Sequence, residues 1–128
     1  MLQDTLADAL TVIKNAEKIG KHECTVKSTK LLDSILKVMH DIGYIGNYEL
    51  VEDGKGGKFK IELKGKIIDT NAIKPRFAVA SDEFEKWEKR FLPGRNMGLL
   101  IVSTSKGVIP HTKAKEMHIG GRLLSFVY

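Results

Sequence analysis

The run Leu99-Leu100-Ile101-Val102, followed at once by Ser103-Thr104-Ser105-Lys106-Gly107, constrains this chain more than any other stretch. Four apolar residues in succession, with β-branched members among them, read as a buried strand. The glycine that follows permits φ > 0, so the chain turns back and its polar tip is held on a rigid base. Hydroxyls both donate and accept, and three in close succession can follow a base edge together with a sugar or phosphate, while Lys106 supplies a point charge. Nucleic acid is a natural ligand for such a tip. An ordinary serine-rich hairpin turn accounts for the same residues.

The chain's 128 residues, 42% of them hydrophobic, fit one compact domain or two small halves sharing an interface. A formal charge of +5 attracts polyanions mildly, which suits nucleic acid or an anionic surface without choosing between them. The single Cys24 excludes an intramolecular disulfide and fits a reducing compartment. No run reaches the length of a membrane span, and Met1 to Leu10 carries Asp4 and Asp8 with no basic region, unlike a signal peptide. The expected location is the cytoplasm.

In chain order, Leu2, Leu6, Ala9, Leu10 and Ile13 recur at helical spacing before Gly20, which predicts an amphipathic helix over 4–19. A short strand over 22–27 precedes a second helix, with Ser28 as its N-cap, an apolar stripe of Leu32, Ile35, Leu36 and Met39, and Gly43 as its end. Residues 44–52 read as a strand, Asp53 to Gly57 as a turn, and Phe59, Ile61 and Leu63 alternate with charged residues in the returning strand. This α-β-α-β-β unit forms an amino-terminal domain over 1–66. A strand-rich carboxyl-terminal domain with short helices follows over 67–128, so the class is α+β. It begins with a connector over 69–80 holding a short strand at 76–79. A helix capped within Ser81-Asp82-Glu83 comes next, with Phe84, Trp87 and Phe91 on one face, and Pro93-Gly94 stops it. After the organising loop, Pro110 opens a short helix running to about His118, Gly120-Gly121 breaks it, and residues 123–128 close the chain as a strand.

The motif Ile101 to Val108, with Gly120-Gly121 placed after a short helix and before a terminal strand, resembles the small-subunit ribosomal protein S-eight family. The resemblance spans essentially the whole chain, including Leu6 to Leu10 and Gly43-Tyr44-Ile45. Lys74-Pro75-Arg76-Phe77 and Pro93 to Gly98 look like its archaeal and eukaryotic branch, the archaeal side above all. It implies a two-domain structural protein of the small ribosomal subunit, a primary binder of an irregular helix in the central domain of the subunit's RNA. The resemblance further implies a role in assembly and translation beside neighbouring ribosomal proteins, in the cytoplasm. By the same resemblance Ser103, Thr104, Ser105 and Lys106 meet internal-loop bases and backbone, and Gly107, Gly120 and Gly121 permit close approach. Arg122 stands where bacterial members commonly carry an acidic residue, and Ser28, Thr29 and Lys30 form a secondary contact.

Elementary chemistry is compatible with those roles. A-form RNA hides its base edges in a deep groove, so proteins read unpaired bases, 2′-hydroxyls and phosphates, for which short hydroxyl side chains are suited. At Ser28 to Lys30, exposed amides of a helix start can hold a phosphate oxygen that Lys30 reinforces, although simple capping explains the same residues. Lys58, Lys60, Lys64 and Lys66 suit a phosphate-binding stripe but read as a solvated strand face, and Phe84, Trp87 and Phe91 suit a stacking platform but read, at helical spacing, as core. Tyr128 suits either the core or an RNA contact. No phosphate-loop pattern is present, His22 with Cys24 and His111 with His118 fall short of a metal site, and no carboxylate pair stands out. The expectation is therefore no catalysis, no cofactor, no metal, no membrane and no small-molecule substrate.

Overall fold

The computed structural model describes residues 5–52, 54, 56–74, 76–94 and 97–128. Leu2 and Asp4 of the expected first helix, Asp53 and Lys55 of the expected turn, Pro75 of the expected connector, and Arg95 and Asn96 lie outside the described residues. The fold is α+β and divides into two compact units, 1–69 and 70–128.

In the first unit the order is α1 (Thr5–Lys18), β1 (Glu23–Lys27), α2 (Lys30–Ile42), β2 (Ile45–Val51) and β3 (Lys58–Leu63), the expected α-β-α-β-β. The strands form an antiparallel sheet of order β1-β3-β2. Alternation places Phe59, Ile61 and Leu63 of β3 in the core, where Leu10 and Ile13 of α1 and Leu32, Ile35, Leu36 and Met39 of α2 are also buried. Gly43 closes α2 at φ 97°, with its own N–H on Met39 and His40 oxygens and the Tyr44 N–H on Met39 O at 2.9 Å. The N-cap is Thr29, not Ser28: the Leu32 N–H donates to Thr29 Oγ1 at 3.1 Å. Residues 65–69 belong to this unit because the Gly65 and Ile67 amides donate to the Glu17 carboxylate and Lys14 pairs with Asp69 at 2.8 Å.

The second unit contains β4 (Thr70–Ala72), β5 (Ala78–Val79), α3 (Phe84–Phe91), β6 (Leu99–Thr104), β7 (Gly107–Pro110), α4 (His111–Glu116) and β8 (Gly121–Val127). Its antiparallel sheet runs β4-β8-β6-β7, with β5 also pairing β8. The apolar run is thus an interior strand, and Leu99 to Val102 are all buried. Phe84 and Trp87 of α3 join Leu100, Val102, Leu123 and Ala114 in one core cluster.

The α3 N-cap is Glu83, within the expected Ser81-Asp82-Glu83; its side chain makes no hydrogen bond to the helix, and its carboxylate accepts the Ala80 N–H at 3.0 Å. Two local expectations need correction. Pro110 precedes α4 rather than entering it, in extended backbone at ψ 152° that finishes β7. Helix α4 stops at Glu116 with Met117 as its C-cap, before Gly120-Gly121 is reached, and the left-handed His118 at φ 56° turns the chain away, with the Ile119 N–H on Ala114 O at 3.1 Å.

Candidate nucleic-acid interface

The organising loop is a two-stranded hairpin in which Thr104 of β6 faces Gly107 of β7. Gly107 adopts φ +103° with open space where a Cβ would stand, so backbone conformation and not crowding selects glycine here. Thr104 Oγ1 donates to Gly107 O at 2.9 Å and accepts the Lys106 N–H at 3.0 Å. That hydroxyl locks the turn. Ser105 and Lys106 stand exposed at the tip, and Ser103 is half-buried at its base.

Strand β8 holds the base of the hairpin. Ser103 pairs with Arg122 on one side and Val108 on the other. A Cβ on Gly121 would lie 2.2 Å from Ser103 O, and one on Gly120 would lie 2.3 Å from Val79 O. These glycines therefore let three backbones close up at this end of the sheet. Arg122 sits opposite Ala78 and donates through Nη1 to Arg76 O at 3.4 Å. Ser103, Lys106, Gly107, Gly121 and Arg122 are thereby brought together, and Arg76 joins them as an exposed cation the sequence reading left in a connector.

Ser28, Thr29 and Lys30 lie in the other unit. They border a groove of about 300 Å³ whose remaining lining includes Asp33, Tyr48, Leu50 and Phe59. Thr29 is committed to its cap, Ser28 N–H donates to Gly57 O at 3.2 Å, and Lys30 is exposed. Tyr48, which the sequence reading also passed over, donates its hydroxyl to Asp33 Oδ1 at 3.2 Å. The lysine face of β3 is mixed in charge: Lys60 approaches Glu23 at 3.5 Å, whereas Lys58 stands opposite Lys27 in the register.

A buried imidazole braces the hairpin strand from below. His111 Nδ1 accepts the Leu100 N–H at 3.0 Å, which fixes the ring proton on Nε2, and that N–H donates to Glu88 Oε1 at 2.5 Å. Lys115 Nζ reaches the same oxygen at 2.6 Å. Burial above all holds His111 below its usual range, with the Glu88 carboxylate pulling partly the other way. Burial raises Glu88, but hydrogen bonds from Lys115 and His111 and the nearby charges outweigh it, so its net shift is downward. Burial and the Glu17 carboxylate push the Cys24 thiol up to about 11. Among the described residues no group of three or more His, Cys, Asp or Glu side chains is placed to hold a metal ion, and no helix is long and apolar enough to cross a membrane.

These features define a two-unit α+β protein whose carboxyl-terminal sheet presents a locked, lysine-tipped hairpin on a glycine-seated base. Residues 4–128 match the family described as ribosomal protein S8. The chain is 56% identical to the small ribosomal subunit protein uS8 of Methanococcoides burtonii, covering 100% of this chain and 99% of that protein. It is 51% identical to the uS8 of Methanosphaerula palustris over 98% of each chain. Both relatives are archaeal. The chain belongs to the ribosomal protein S8 family.

Proposed function

We propose that this protein is a structural constituent of the small ribosomal subunit. It binds an irregular helix in the central domain of the subunit's RNA as a primary binder, supporting assembly and translation among neighbouring subunit proteins in the cytoplasm. It carries out no catalysis. The observation behind this reading is the hairpin itself: the Thr104 hydroxyl is used within the turn, so Ser105 and Lys106 stand outward beside Ser103 and Arg122. Ser103 and Ser105 read unpaired bases and 2′-hydroxyls, Lys106 and Arg122 take phosphates, and Gly107, Gly120 and Gly121 keep the backbone close to the groove. Thr104 contributes by fixing the turn. In the amino-terminal half, Ser28, Thr29 and Lys30 make a secondary contact at the start of α2, where Lys30 reinforces the helix amides toward a phosphate.

Titration of the protein at fixed physiological salt against a short central-domain RNA helix and a scrambled duplex tests this function. A preference of roughly a thousandfold for the cognate helix is expected of specific recognition. Ser105→Ala should weaken the cognate helix selectively, and Lys106→Ala should weaken both RNAs and lower the salt slope by about one. Comparable affinity for both RNAs would reduce the protein to a general polyanion binder.

A further inference from the structure

A second surface of the carboxyl-terminal unit runs from Phe77, beside Arg76, to Tyr128 at the other end of β8 from Arg122. Phe77 stacks on Trp87 with ring centroids 4.6 Å apart and planes at 28°, and Trp87 stacks on Phe91 at 6.2 Å and 10°. The series continues from Phe91 to Phe126 at 5.8 Å and 21°, and from Phe126 to Tyr128 at 5.9 Å and 13°. Five near-parallel rings from the connector, α3 and β8 thus form one aromatic tape. Phe77, Phe91, Phe126 and Tyr128 are half-buried, so the tape is partly open to solvent. Tyr128 is set there by Gly98, where a Cβ would come within 2.5 Å of the tyrosine's own.

Helix α3 sorts its charges around this tape. The Arg90 guanidinium lies over Phe77 and Trp87 at 5.4 Å and over Phe91 at 5.6 Å, and Lys86 Nζ lies 5.4 Å over Trp87. Glu85 and Glu88 instead line a cavity of about 410 Å³, and Glu88 holds His111. Exposed cations beside half-buried, partly open rings suit a polyanion that also carries planar apolar faces. Trp87 adds a buried indole N–H with no hydrogen-bond partner among the described residues, so its ring is held by its stacking neighbours.

We propose that this tape is a second RNA surface, on which an unpaired nucleobase of a single strand stacks against Tyr128, the ring that ends the series, while Arg90 and Lys86 take neighbouring phosphates. Base stacking on aromatic side chains tolerates any sequence and draws strength from arginine on the same platform. The inference goes beyond the hairpin reading and rests on it only in taking the polyanion to be RNA. In the register, Tyr128 follows Val127, which pairs with Leu99, whereas Arg122 pairs with Ser103 at the far end of β6. The Tyr128 end of the tape is therefore removed from the hairpin, while its Phe77 end adjoins Arg76.

The full chain is titrated with a single-stranded oligouridylate of ~12 nucleotides at fixed physiological salt, within the range of site sizes for sequence-tolerant strand binders. Anisotropy reports binding, and the fluorescence of Trp87, the chain's one tryptophan, over which Arg90 and Lys86 lie, reports a phosphate held at those cations. Binding should quench Trp87, and Tyr128→Leu, which keeps an apolar side chain without a ring, should weaken it about tenfold. Arg90→Gln, at an exposed position with little influence on folding, should weaken binding several-fold and reduce the salt slope by about 0.7, while Ser105→Ala leaves oligouridylate binding unchanged. Absence of quenching, or wild-type affinity in both Tyr128→Leu and Arg90→Gln, overturns the proposal. Loss of oligouridylate binding with specific binding of the ribosomal helix intact overturns the tape alone; the converse result overturns the hairpin reading alone.

Discussion

Thr104 and Ser105 carry the same functional group one residue apart, yet the hairpin separates their roles. Thr104 Oγ1 donates to Gly107 O and accepts from Lys106 N, whereas Ser105 stands exposed at the tip. Thr104→Val keeps the β-branched shape and removes both hydrogen bonds, and in this solvated turn the loss should be about 1 kcal/mol. Ser105→Ala should change stability by less than about 0.5 kcal/mol, as expected of a surface position, while weakening the cognate RNA. Urea midpoints and RNA titrations on the same preparations separate these effects; equal destabilisation by both variants would refute the division. Cys24 illustrates a different residue-level control. With its thiol pushed up to about 11 by burial and by Glu17, it holds about a hundredfold less thiolate at neutral pH than an unperturbed cysteine. Alkylation by iodoacetamide should be slower than that of a free-thiol peptide by a similar factor, and a peptide-like rate would show the thiol to be open.

At the scale of elements, glycines in the candidate interface serve two distinct physical needs. Gly107 meets a backbone demand at φ +103°, while Gly121 meets a packing demand, since any Cβ would press on Ser103 O at 2.2 Å. Gly107→Ala should cost about 1–2 kcal/mol by conformation alone. Gly121→Ala must push β8 away from β6 and should cost about 1–3 kcal/mol, as overpacking does, and also shift the amide resonances of Ser103 and Arg122. An unshifted NMR spectrum for Gly121→Ala would disprove the contact. The hairpin was legible in the sequence because an apolar run, a polar tip and a glycine state the same local instruction. So were α1, α2 and the alternating β3, each marked by its own period. Strand β4 was not, because Thr70-Asn71-Ala72 has no alternation and is made a strand by pairing with Ser125 to Val127 and by the Thr70 hydroxyl on Phe126 O at 2.7 Å. The same reason hid Arg76 and Tyr48, whose positions depend on partners far along the chain. The cap at Thr29 was misplaced by one residue because Ser28 has the same capping chemistry, and only the Leu32 N–H distinguishes them.

Across the whole molecule, charge makes acid the condition under which the fold should fail, and His111 sets where the failure begins. Its buried ring ties β6 through the Leu100 amide, α3 through Glu88, and α4 through its own backbone and Lys115 on the same carboxylate. Burial of the ring disfavours its charged form by more than the Glu88 carboxylate favours it, so the folded state resists protonation and the folded value lies below the ordinary 6.5. Below pH 6.5 the unfolded chain therefore binds a proton that the folded chain refuses, and stability falls with falling pH. The His111 contribution is fully present above about 6.5 and declines from there toward the depressed folded value. Glu88 acts in the same direction in more acid solution: its folded value is lowered, so its contribution is present above 4.5 and is lost as pH falls through the folded value. The midpoint of thermal unfolding should thus drop between pH 7 and pH 5. His111→Asn keeps an oxygen able to accept the Leu100 N–H but lacks a titrating group. It should lower stability at pH 7 by about 1–3 kcal/mol through the lost hydrogen bond to Glu88, yet flatten the decline between pH 7 and pH 5. Hydrogen exchange adds the location, since Leu100 should lose amide protection at pH 5 before Ile61, which belongs to the other unit's core. A wild-type midpoint unchanged over that interval, or an equally steep decline in His111→Asn, would remove His111 from control of the transition and assign acid sensitivity to the carboxylates alone.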